Sequence, residues 1–111
     1  THDSPFFPGG HALSVGNHVI VGHQVLLHGC TIHDHSLIGM QSVILDGAII
    51  ESYVMLGAGS LVSPGKTLES GYLYVGRPAL KKRKLTQNEI DCMIYSAQNY
   101  IKLKDEYLSI R

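Results

Sequence analysis

An aliphatic residue recurs every six positions through the middle of this chain, and no other feature restricts its fold so tightly. The series runs Val15, Val21 and Leu27, then Ile32, Ile38, Ile44, Ile50, Leu56, Val62 and Leu68. A helix needs apolar recurrence near 3.6 residues, and a lone strand alternates at 2. A ladder of six fits neither, and self-similarity at a fixed period signals a solenoid. It predicts a triangular coil of three short strands, one inward aliphatic on each side and about eighteen residues per turn. Ten such positions make about three coils, each rising by roughly 4.8 Å. The expected fold is mainly β: a left-handed parallel β-helix followed by a C-terminal α-helix.

Details of the ladder refine this. Its one irregular step, five residues from Leu27 to Ile32, falls beside His28-Gly29-Cys30. Leu45-Asp46-Gly47 echoes Leu27-His28-Gly29, so Leu45 is a candidate for the inward role in place of Ile44. Gly follows the ladder residue at positions 16, 22, 39 and 57, where a tight corner favours a residue without a Cβ. A second small or aliphatic residue sits four positions on, as at Ser42, Ala48, Val54 and Ser60.

The chain of 111 residues is expected to form one domain: a loop over 1–12, the β-helix over 13–78 and a helix over 86–110. Ser63-Pro64-Gly65-Lys66 reads as a turn and Gly71-Tyr72-Leu73-Tyr74-Val75 as a last strand closed by Gly76-Arg77-Pro78. Thr86-Gln87-Asn88-Glu89 matches a capping box. Ile90, Met93, Ile94, Ala97, Ile101, Tyr107 and Leu108 follow at helical spacing, a stripe that needs a packing partner.

Nine basic residues balance nine acidic ones, so no long-range field points to nucleic acid or an anionic membrane. The basic run Lys81 to Lys84 reads as a solvated connector. No apolar stretch approaches the roughly 20 residues that span a bilayer. Cys30 and Cys92 form no disulfide framework and read as buried or partly buried thiols in a reducing cytoplasm.

Seven histidines direct attention to metal chemistry. His23 and His28 are spaced H-x4-H. Five strand residues cover roughly 16 Å and a corner intervenes, so the two rings diverge and cannot chelate one ion within a chain. A trimer brings His28 of one copy to His23 of another. On spacing alone two surface imidazoles on polar corners are the better fit, because isolated histidines are seldom ligands. His18, His33 and His35 lie at repeat corners and read as solvated; His11 has no visible partner and His2 is ambiguous.

The string Val21-Gly22-His23-Gln24-Val25-Leu26-Leu27-His28-Gly29-Cys30 resembles the metal-binding segment of the γ-class carbonic anhydrase family. The resemblance continues through Ile38-Gly39-Met40, Ile44-Leu45-Asp46-Gly47-Ala48, Leu56-Gly57-Ala58-Gly59-Ser60 and Gly76-Arg77-Pro78-Ala79 to Ser96-Ala97-Gln98-Asn99-Tyr100-Ile101. It implies a homotrimer with zinc, or iron or cobalt in its place, at each interface. His28 and His23 from adjacent subunits would be ligands, and Tyr100 would border the metal-bound water. Thr1-His2 resembles the end of the family's L-H-x-x-H string, which puts the third histidine upstream of Thr1 and leaves His2 a non-ligand. The family's upstream coils carry an Arg, an Asp and a Gln around the metal. The chain is therefore expected to be the C-terminal part of a longer protein, since an exposed edge at Ser14-Val15 would invite aggregation.

The activity implied is reversible hydration of carbon dioxide to bicarbonate by metal-bound hydroxide. Leu26, Leu27 and Met40 would offer the gas a dry patch. The acidic proton-relay loop of the most active family members is not visible, so low or latent activity is expected. Two alternatives stay open: a hexapeptide acyltransferase using coenzyme A, and a non-catalytic metal-binding trimer.

Overall fold

The computed structural model describes residues 12–95. The proposed loop before them, His2, His11, Tyr100 and the remainder of the expected helix lie outside the described residues. Inside them the ladder becomes ten two-residue strands: β1 (Ser14–Val15), β2 (Ile20–Val21), β3 (Leu26–Leu27), β4 (Thr31–Ile32), β5 (Leu37–Ile38), β6 (Val43–Ile44), β7 (Ile49–Ile50), β8 (Met55–Leu56), β9 (Leu61–Val62) and β10 (Thr67–Leu68). Each ladder residue is the second residue of its strand. β11 (Tyr72–Gly76) and β12 (Ala79–Lys84) complete the set.

Every third strand stacks in parallel, giving a prism with three faces: β1-β4-β7-β10, β2-β5-β8-β11-β12, and β3-β6-β9. The irregular step sets the register. Ser14 aligns with Thr31, seventeen residues on, whereas Thr31 aligns with Ile49, eighteen residues on. The first coil is thus one residue short, and the ladder resumes in phase below it.

Strand alternation turns one residue of each pair inward. Ile32, Ile38, Ile44, Ile50, Leu56, Val62 and Leu68 are all at most 2% exposed, each contributing about 1.5–3 kcal/mol by burial. Val15 and Val21 are exposed and Leu27 half-buried, because among the described residues no further coil lies over theirs. Ile44 is fully buried and Leu45 half-exposed, so Ile44 and not Leu45 faces the core. The second inward column holds Ser36, Ser42, Ala48, Val54 and Ser60. Its hydroxyls are satisfied on backbone: Ser36 donates to the Glu51 carbonyl at 2.7 Å, and Ser42 and Ser60 donate to that of Gly57.

The corners are turned by a left-handed residue three places after every ladder residue but Leu27, where Gly29 takes that role two places on. His18, Gln24, His35, Gln41 and Tyr53 hold φ between 57° and 63°; Gly59 and Gly71 continue their two edges, and Gly47 and Gly65 lie on the third, below Gly29. An L-residue there costs about 1–2 kcal/mol. The non-glycine residues recover part of this by stacking: the rings of His18, His35 and Tyr53 lie parallel, with centroids 5.2 and 5.1 Å apart. His35 is consequently half-buried, not solvated. The glycines after the ladder residues do different work from that expected. Gly22 and Gly39 have no positive φ; a Cβ on them would lie 2.7 Å from the Met40 nitrogen and 2.6 Å from the Ala58 nitrogen of the adjacent coil. They permit coils to touch.

The basic run is not a connector. Ala79–Lys84 pairs antiparallel with β11, with Lys81 on Glu69 and the ring of Tyr72. A lysine-rich outer strand discourages pairing with another chain. Helix α1 (87–95) begins as its capping box predicts: Glu89 accepts from the Thr86 amide at 2.9 Å, and the Thr86 hydroxyl accepts from the Glu89 amide at 3.2 Å. Of the described stripe residues Met93 is buried and Ile90 and Ile94 are half-buried, while Cys92 is exposed, against expectation.

Arg83 grips both oxygens of Glu89, at 2.6 and 2.7 Å, tying β12 to α1. That pairing, with the Thr86 amide second, lowers the Glu89 carboxyl from 4.5 to about 2. A folded value below the unfolded one stabilises above the unfolded value and is lost as pH falls. The start of α1 should therefore persist at pH 4.5 and fray as pH approaches 2, whereas Glu89→Gln should flatten that profile. Amide shifts of residues 87–90 followed through an acid titration would check it; identical profiles would refute the capping role. Thr86→Ala should cost the protein about 1 kcal/mol.

Candidate functional site

His23 and His28 bracket β3. Gly22-His23-Gln24 turns the chain from the second face to the third, and His28 begins the corner from the third face to the first. The two imidazoles therefore occupy different edges of the prism, as their spacing predicts. His23 is exposed and His28 half-buried.

The short corner fixes the setting of His28. Its amide donates to the Ile44 carbonyl at 2.9 Å, extending the β3–β6 pairing one residue beyond the strand. Gly29 then bends at φ 37°, and with one residue fewer the next side chain, Cys30, drops straight into the core. Burial pushes the Cys30 thiol up from its ordinary value, keeping it neutral as a packing residue. Beside His28 lies an open hollow of about 190 Å³ lined by His28, Leu45, Asp46 and Pro64. Its walls come from the two coils beneath the histidine.

His23 sits on a corner braced by the coil below. Its carbonyl accepts from the Gln41 amide at 2.9 Å, and the Gln41 carboxamide donates to that of Gln24 at 3.0 Å. In the third coil Gly59 takes the equivalent place, and its carbonyl accepts from Arg77 at 2.9 Å. Sequence reasoning missed this column. Its signal is the separation of Gln24 from Gln41, which equals the length of the first coil and has meaning only once that length is known.

Neutral imidazoles are suitable zinc ligands, and a catalytic site needs at least three protein ligands with one position left open. Among the described residues no three His, Cys, Asp or Glu side chains gather to hold a metal. The donors His23 and His28 thus have the right chemistry, yet one copy's described residues cannot bring them to one ion. His33 and His18 are both exposed, as expected, with one face of the His18 ring against His35. Of the expected dry patch, Leu26 and Met40 are about half exposed and Leu27 is half-buried.

The bacterial transferase hexapeptide family (six repeats) matches residues 29–64. Protein YrdA of Escherichia coli is 56% identical over 108 residues, which is 97% of this chain and 59% of that protein. The mitochondrial gamma carbonic anhydrase 2 of Arabidopsis thaliana is 42% identical over 86% of this chain and 34% of its own length. Among solved structures, a hexapeptide transferase family protein from Anaplasma phagocytophilum is 39% identical, with a TM-score of 0.78 over 86% of this chain and 61% of that one. The chain accordingly spans about 59% of the YrdA length and less of the plant protein.

Proposed function

This chain belongs to the γ-carbonic-anhydrase-like family of hexapeptide-repeat proteins, and from that premise we propose that it hydrates carbon dioxide to bicarbonate at metal sites shared between the copies of a homotrimer. One observation carries the reading. His23 and His28 stand on separate edges of the prism, an arrangement that is useless for chelation within a copy and suited to a site completed by a neighbour. In a closed ring whose contact joins these two edges, rotational symmetry repeats that junction at every interface.

In this reading His28 of one copy and His23 of the next each donate a ring nitrogen, and a further histidine from outside the described residues completes the set. Zinc suits these donors, with cobalt or iron as substitutes; when bound it supplies the acidification of water that hydration requires. Leu45 and Pro64 give the hollow at His28 an apolar wall for a nonpolar gas, and Asp46 gives it a polar one. Tyr100 is assigned to border the reacting water. No helix among the described residues is long and apolar enough to cross a membrane, and we assign the protein to the cytoplasm on its two free thiols.

The test is made on the intact protein: elemental analysis after purification, then stopped-flow hydration of carbon dioxide. Bound zinc with hydration activity abolished by chelation is the expected result. Zinc without activity would reduce the protein to a metal-binding trimer. Metal-free protein that saturates with coenzyme A would replace the reading with acyl transfer.

A further inference from the structure

We propose that Gln41 is a positioning residue for His23, acting with Gln24 to fix the corner from which that imidazole reaches the shared metal; this rests on the shared-site reading above. Gln41 holds the corner at two points. Its backbone amide binds the His23 carbonyl at 2.9 Å, and its side-chain amide binds the Gln24 carboxamide at 3.0 Å. The first bond holds the carbonyl of the peptide joining residues 23 and 24, and the second ties the Gln24 side chain to the same residue of the coil below. A held carbonyl limits rotation of the His23 backbone, from which the imidazole projects.

The corner has reason to need this. Gln24 and Gln41 both hold left-handed backbone, at φ 57° and 59°, a conformation an L-residue leaves readily unless it is held. Gly22 removes the alternative of shifting the coil bodily, since its backbone already lies against Met40. Exposed amide pairs add little to stability, because water offers the same bonds. The column is also anchored at its far end, where Arg77 binds the Gly59 carbonyl at 2.9 Å. On the opposing edges the equivalent places hold stacked rings or glycine, so among the described residues the amide column belongs to the edge that carries His23.

Donor and acceptor are unequal in this pair, and that gives the test its handle. Gln24→Glu keeps the acceptor that Gln41 binds, whereas Gln41→Glu removes the donor and sets two acceptors face to face. The intact protein, freed of metal and titrated with Co²⁺, should bind equally well as wild type and as Gln24→Glu. Gln41→Glu and Gln41→Ala should bind roughly 2- to 10-fold more weakly, about what one net hydrogen bond is worth. Their visible cobalt bands should shift while thermal stability stays near wild type. Gln41 variants with wild-type affinity and spectrum would overturn the proposal. Wild type that binds no cobalt would sink the shared-site reading instead. Residual dipolar couplings of the Gln24 amide in metal-free protein then decide the positioning claim: reorientation in Gln41→Glu supports it, and an unchanged coupling overturns it.

Discussion

Gly39→Ala should lower the stability of the protein by roughly 3 kcal/mol, the upper range of overpacking costs, and Gly59→Ala by only about 1. A urea titration of each variant separates them. Both substitutions add one methyl to an edge of the prism, but the methyl meets different surroundings. At Gly39 it would lie 2.6 Å from the Ala58 nitrogen, 2.7 Å from the Leu56 carbonyl and 2.8 Å from the Gly57 carbonyl carbon. All three are backbone, and the Leu56 carbonyl also accepts the Gly39 amide at 2.8 Å. Relief requires parting two coils, which also loosens the buried Ile38 and Leu56 beside them. At Gly59 nothing lies within 4 Å, and the only penalty is its φ of +68°. Since whole domains are stable by about 5–15 kcal/mol, the first loss is a large share. Equal losses at the two sites would show that coil contact does not set the glycine requirement.

His23→Ala and His28→Ala should each abolish metal retention when purified alone, and a mixture of the two, unfolded and reassembled together, should regain part of it. The arithmetic follows from a shared site. A ring of His28→Ala copies has no interface with both imidazoles, and neither has a ring of His23→Ala copies. A mixed ring always contains an interface where an intact His28 of one copy faces an intact His23 of the next. Recovered zinc in the mixture, absent from both parents, is the expected measurement. Recovery of nothing, or retention by either parent, would refute a site divided between copies. The doubly substituted chain, mixed with wild type, restores no interface of its own and serves as the control.

The fold was legible because the repeat in the sequence is the register of the structure: each ladder residue from Val15 to Leu68 ends a strand. The second inward column at Ser42, Ala48, Val54 and Ser60 was legible for the same reason. Corner chemistry was not. Gly39 reads as a bend when it is a contact, and the bends fall on Gln24, His35 and Tyr53, types with no special turn signature in isolation. Lys81 to Lys84 concealed a strand, because four charges in a row mask the alternation by which strands are recognised. At the site, the separation of His23 and His28 onto different edges could be read, since it depends only on strand length and one corner. Their convergence could not, because it depends on a surface that one chain does not contain. The Gln24–Gln41 column needed the first coil's true length before its two members could be seen as neighbours.

That short coil has a consequence for how such proteins change. The chain loses one residue between Leu27 and Ile32, yet every strand after it lands in its proper place. A vertex therefore behaves like a rest in a bar of music: it can be lengthened or trimmed without disturbing the beat, whereas a residue added within a strand would turn the remainder of that strand inside out. Variation by insertion and deletion is thereby channelled to the three edges. Those are also where His23 and His28 stand, so the parts of the molecule freest to alter in length are the ones from which new chemistry can be tried at little cost to the prism.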